Sequence, residues 1–170
     1  MSRDSMVWLI AFLRTKVNDT GLSIWLDDEL QNYLDMHRIH LVKEPLAYDP
    51  SAKIYRSGYG MLEADSSLWD SNLPGAIEIN NSKYTANLID GTFGFEISQD
   101  CTYYLDAKSY DIHGAIAECL EQLAMDQNRA KTWNRGSVSY THYDLMEMAQ
   151  YHRNLTGMKS IGCLRIYNKR

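Results

Sequence analysis

The sequence predicts an α+β chain that is mainly α. It should have a four-helix bundle-like core, an inserted small antiparallel β-sheet or barrel, and an extended C-terminal tail. Three observations carry this expectation. Apolar residues recur at three- and four-residue spacing toward both ends of the chain. Between about residues 40 and 107 short alternating runs are punctuated by Pro, Gly and Asn. Beyond Gly157 the pattern relaxes into a loosely alternating basic stretch. Residues 1–157 therefore read as a single domain and residues 158–170 as an arm.

The first helix is predicted over about 5–17, capped by Ser5. Its apolar face is Met6, Leu9, Ile10, Leu13 and Val17. The turn cluster Asn18-Asp19-Thr20-Gly21 ends it. A second helix over about 27–38 places Asp27, Asp28 and Glu29 in its first turn, where the helix dipole favours negative charge. A short connection makes these two helices a hairpin. In the middle, Lys53 to Leu62, Ala76 to Ile79, Tyr84 to Ile89 and Thr92 to Ile97 read as strands. Asp90-Gly91 between the last two is the strongest hairpin signal in the chain. Asp65 to Gly75 reads as a polar loop. A third helix over about 110–129 buries Ile112, Ile116, Cys119, Leu120 and Leu123. A fourth over about 139–154 takes Ser139 as its cap.

The formal net charge is −5, and its distribution says more than its total. From Met148 onward there is no Asp or Glu, yet Arg153, Lys159, Arg165, Lys169 and Arg170 fall there. That leaves 12 of the 17 basic side chains against all 22 acidic ones elsewhere. An acidic body with a basic tail suits docking onto something acidic. It does not suit a free-standing nucleic-acid binder, which is usually basic throughout. The apolar run Met6 to Leu13 is too short to span a membrane. The chain is expected to be made in the cytoplasm, and Cys101, Cys119 and Cys163 are expected to be buried thiols rather than a disulfide or zinc set.

Little in the sequence converges on catalysis. No phosphate loop, GxSxG, HExxH or EF-hand pattern occurs. His37 and His40 lack an indicated third ligand. His142 and His152 lie ten residues apart on one predicted helix, nearly three turns. Asp111 and His113 open the third helix without a marked nucleophile, and a polar helix start accounts for them. No catalytic residue, metal or cofactor is expected. The 12 tyrosines suit subunit interfaces, where an apolar ring needs a polar handle. Tyr103, Tyr104, Tyr143, Tyr151 and Arg153 are the interface candidates, although the tyrosines suit an ordinary core edge equally well.

Four stretches in this order resemble the head–tail adaptors (connector, or head-completion, proteins) of tailed bacteriophages. Trp25-Leu26-Asp27-Asp28-Glu29-Leu30 through Asp35 is similar to the family's second helix, with Leu26 where a Ser or Thr cap is usual. Ala86 to Phe95 is similar to its strand, turn and Phe-bearing return strand. Tyr110-Asp111-Ile112-His113-Gly114-Ala115 resembles its most characteristic helix opening. Ser137-Val138-Ser139 leading to Ala149-Gln150-Tyr151-His152-Arg153 resembles its closing helix. The loop around Asp65 to Pro74 has no counterpart.

The resemblance implies a virion structural protein. Its subunits form a ring, typically of twelve, under the portal protein. The ring extends the DNA channel, passes double-stranded DNA without sequence specificity, and receives a stopper or tail-completion protein. It also implies that the C-terminal arm reaches the portal or a neighbouring subunit. In this chain Lys159, Ile161, Leu164, Arg165, Ile166, Tyr167, Lys169 and Arg170 would supply that contact, by strand addition and charge. An acidic wall suits a DNA conduit, because neutralising many phosphates would hold the DNA in place. The alternative, from a different class, is a small cytosolic helical binding or regulatory module that recognises a peptide or small ligand.

Overall fold

A computed structural model of the chain describes residues 2–19, 24–70, 77–80, 83–95, 102–126 and 141–156. The C-terminal arm and Ser139 lie outside them. The chain divides into two compact units. One is helical and formed by Met1–Arg38 with Asp111–Gly157; the other contains Ile39–Tyr110 and is built of strands.

In the helical unit a 3-10 turn, Asp4–Met6, leads into α1, Val7–Lys16. This turn takes up Ser5, which therefore does not cap the helix. Leu9, Ile10 and Leu13 are buried. The helix closes on Asn18, whose φ of 57° lets the Asp19 N–H reach the Arg14 carbonyl at 2.9 Å. The connection to α2, Asp27–Met36, is organised by a buried arginine. Arg14 Nη1 meets Asp19 Oδ2 at 2.5 Å, while Nη2 donates to the Trp25 carbonyl at 2.7 Å and to Asp27 Oδ1 at 2.8 Å. Asp19 in turn accepts the Ile24 and Trp25 N–H groups, both at 3.1 Å. A buried charge persists only when paired and hydrogen-bonded in this way. Asp27 therefore does more than face a helix dipole. Leu26 offers α2 no side-chain cap, and Glu29 compensates by accepting the Leu26 N–H at 2.8 Å.

α3, Ile112–Met125, is buried nearly all round. A helix covered on most of its sides belongs at the centre of its unit. α1, α2 and α4 (His142–Leu155) each pack against α3. α4 makes no comparable packing on α1 or α2 among the described residues. The cap of α4 is Thr141, which with Asp144 forms a capping box: the Thr141 N–H and hydroxyl donate to Asp144 Oδ2 at 2.8 and 2.7 Å, and Thr141 Oγ1 accepts the Asp144 N–H at 3.3 Å.

The strand unit carries β1 (Arg38–Pro45), β2 (Ala47–Asp49), β3 (Ile54–Arg56), β4 (Ser67–Asp70), β5 (Ile77–Glu78), β6 (Tyr84–Asn87), β7 (Thr92–Phe95) and β8 (Tyr103–Tyr110). They form two four-stranded sheets, ordered β1-β8-β4-β5 and β2-β3-β7-β6. Leu41, Leu46, Tyr55, Leu62, Leu68, Phe93, Tyr103 and Leu105 make a common core. The hairpin at Asp90-Gly91 pairs Asn87 with Thr92 and Tyr84 with Phe95. Gly91 has a φ of 63°, and a Cβ there would overlap the Tyr59 carbonyl, so glycine is required.

Two expectations are corrected. The fold is not mainly α with a four-helix bundle core. It is α+β with two substantial antiparallel sheets, and its helices gather around α3 instead of enclosing a shared bundle core. The polar loop over 65–75 contains β4, which pairs with β8 on one side and β5 on the other. Its Leu68 is fully buried.

Candidate functional site

The arm residues Lys159, Ile161, Leu164, Arg165, Ile166, Tyr167, Lys169 and Arg170 lie outside the described residues. The remaining interface candidates fall in different environments. Tyr103 is 4% exposed, and its ring stacks on Phe95 with centroids 4.3 Å apart and meets Tyr55 edge-on at 4.7 Å. It is a core residue and offers no surface, which corrects its place among the candidates. Tyr104 is half-buried on β8, opposite Trp69. Tyr143 and Tyr151, at 74% and 61% exposure, share the outer face of α4 with Glu147, Gln150 and Asn154. Eight helical residues separate the two rings, about 12 Å along the axis.

Arg153 points the other way, into a cluster where α4 meets α3. Its Nε and Nη2 donate to the two carboxylate oxygens of Glu121, each at 2.6 Å, and Nη2 also reaches Glu118 Oε1 at 2.9 Å. The fork-to-carboxylate geometry makes this a directional clasp. The hydrogen bond from Arg153 holds the Glu121 carboxyl below the usual carboxylate range, and the same bond pushes the Arg153 guanidinium up. The chain neighbour of Arg153, His152, brings its Nδ1 to 2.9 Å from His113 Nδ1, with the ring centroids 5.2 Å apart and the ring planes 28° from parallel. His37, just past α2, presses its ring onto Gly114, where any Cβ would overlap the imidazole. His37 Nε2 is buried, makes no hydrogen bond among the described residues and stands 3.6 Å from Glu118 Oε1.

The α3 end of this cluster is set by Asp111, which accepts the His113 and Gly114 N–H groups at 3.0 and 3.2 Å. The Asp-His spacing at the start of α3 is thus a helix cap, as the sequence suggests. His142 and His152 do not act together: His142 Nδ1 meets the Ala124 carbonyl at 2.9 Å, and His152 pairs with His113. That pairing spans 39 residues. Only the packing of α4 on α3 creates it, and no local spacing in the sequence signals it.

The strand unit holds a second buried charge. Glu63 is fully buried; it accepts the Tyr110 hydroxyl at 2.5 Å and lies 3.4 Å from Lys108 Nζ, which also contacts Asp65 at 2.6 Å. Hydrogen bonding to Asp65 raises the Lys108 ammonium, with Glu63 adding to the effect. The Ser109 hydroxyl donates to the Gly60 carbonyl at 2.7 Å. Together these bonds pin the segment 60–65 to β8.

Both clusters are composed for holding elements together. Burial pushes the Cys119 thiol well up, which keeps it protonated and a poor nucleophile. Among the described residues no group of three or more His, Cys, Asp and Glu could hold a metal ion, and no helix is long and apolar enough to cross a membrane. Comparison with protein-family models, curated proteins and solved structures returns no match.

Proposed function

We propose that this chain is a structural head–tail adaptor subunit of a tailed phage or phage-like particle, assembling as a ring under the portal and docking the next head-completion component. The observation that carries the reading is the work done by its most characteristic stretch, Tyr110 to Ala117. Tyr110 satisfies Glu63, Asp111 caps α3, Gly114 admits the His37 ring, and Ala115 and Ala117 are fully buried. Every one of these residues builds the scaffold. Among the described residues the most exposed aromatic rings are Tyr143 and Tyr151 on the outer face of α4, and amphipathic rings on a rigid helix suit subunit contacts. The acidic body and the basic segment from Lys159 to Arg170 give the ring a wall that does not hold DNA and an arm that seeks an acidic partner.

The test is a binding titration against the portal protein of the same particle, comparing the full chain with one ending at Gly157. The full chain is expected to bind, and the truncated chain to bind at least about tenfold more weakly. Failure of the full chain to bind defeats the adaptor reading. Equal binding by both leaves the adaptor and removes the docking role of the arm.

A further inference from the structure

We propose that His113 and His152 form a one-proton clasp between α3 and α4, which acid opens when both rings become charged. The inference stands on the geometry of the helical unit and does not depend on the adaptor reading. The Nδ1–Nδ1 separation of 2.9 Å is hydrogen-bond length. Such a bond requires one Nδ1 to carry a proton and the other to present a lone pair. Two charged imidazoles carry a proton on every ring nitrogen, so the same separation would set two N–H groups and two like charges head to head. The closed pair therefore has room for one proton between its two Nδ1 atoms, and not for two.

The surrounding charges decide how far the packing can relieve this. On α3 stand Asp111, committed to its cap, and Glu118 and Glu121. On α4, Arg153 is already bound to both glutamates and cancels much of their field, while the Tyr151 ring lies edge-on to His152 at 5.4 Å. From the end of α2, His37 faces Glu118 at 3.6 Å, a contact that charging His37 would strengthen. Acid thus acts on the two histidine contacts with opposite sign. In the unfolded chain His113 and His152 charge independently, so acid favours opening of the clasp. The contact released is the one between His113 and His152, while the Arg153 clasp to Glu121 still holds.

Two measurements on the full chain test this. Ring-nitrogen NMR at about pH 7.5 should find one of the two Nδ1 atoms protonated and the other bare. Bare Nδ1 atoms on both rings would overturn the proposal. Between about pH 7.5 and about pH 5, the native chain and His37→Gln should each lose ~3–6 °C more in Tm than His152→Gln, whose amide can pair with His113 in either charge state. Equal acid losses in all three proteins would likewise overturn it. Should His152→Gln fail to fold, His113→Gln replaces it, and the NMR result on the native chain decides.

Discussion

At the scale of single residues, positions that look permissive in the sequence are the constrained ones. Gly114 sits in a helix, where glycine is ordinarily a cost, because the His37 ring occupies the space of its missing side chain. Gly114→Ala should therefore destabilise the chain by about 1–3 kcal/mol, although alanine is the better helix former. Thermal or urea unfolding reads the change, and a neutral or stabilising result would mean that His37 is free to move aside. Tyr110 is a second case. Tyr110→Phe keeps the ring but takes a donor from the buried Glu63 carboxylate, at a cost of about 1–3 kcal/mol. In a Glu63→Gln background, where the amide oxygen still accepts from Tyr110 but no charge is left buried, the same change should cost much less. Equal losses in the two backgrounds would show that the hydroxyl acts elsewhere. The sequence conceals these roles because each depends on a partner dozens of positions away. Tyr103 shows the same limit in reverse, since its composition-level reading as an interface residue gives way to a ring stacked inside the strand core.

At the scale of elements, legibility follows pattern strength. The helices over Asp27–Met36 and Ile112–Met125 stand within the stretches that apolar periodicity marks out, and the turn at Asp90-Gly91 lies where its residues place it. β4 is hidden because Asp65 and Ser66 lead into it, Ser67 opens it and Asp70 ends it, leaving a single fully buried side chain, Leu68, to reveal a strand paired on both sides. A strand half-covered on its faces needs few apolar residues, so polarity alone misreads it as a loop. The union of α3 and α4 rests on a long-range clasp with a definite pH signature. The Glu121 carboxyl is held below its ordinary range by the Arg153 hydrogen bond. It therefore contributes stability in full above the ordinary carboxylate value, and loses it as pH falls through the lowered one. Glu121→Gln should cost about 1 kcal/mol near pH 6, a figure reduced for the partial exposure of both partners, and the gap from the native chain should close in strong acid, once the lowered carboxyl protonates. Denaturant unfolding at the two pH values measures it; a gap that widened in acid would contradict the assigned pairing.

At the scale of the whole molecule, the strand unit is an insertion whose two ends are already brought together. The Asp111 N–H donates to the His37 carbonyl at 3.0 Å, and β1 and β8, the first and last strands of the unit, are neighbours in one sheet. Replacing residues 39–110 with a short glycine linker should leave a folded helical unit, while the fragment 39–110 should fold on its own core around Leu62, Leu68, Phe93 and Leu105. Circular dichroism of the two pieces should show helix in one and sheet in the other, each with a cooperative melt; two unfolded pieces would make the division one of contacts only. A helical unit tied by directional clasps, a strand unit with its own core and a basic C-terminal segment are parts suited to assembly. We propose that they assemble as a ring on a portal. Electron-microscopic averaging of that portal after incubation with the full chain tests it most directly. An added ring of density is expected, coaxial with the channel and holding copies of this chain at fixed angular spacing. Portal particles that stay bare at saturating concentrations of the chain would contradict it.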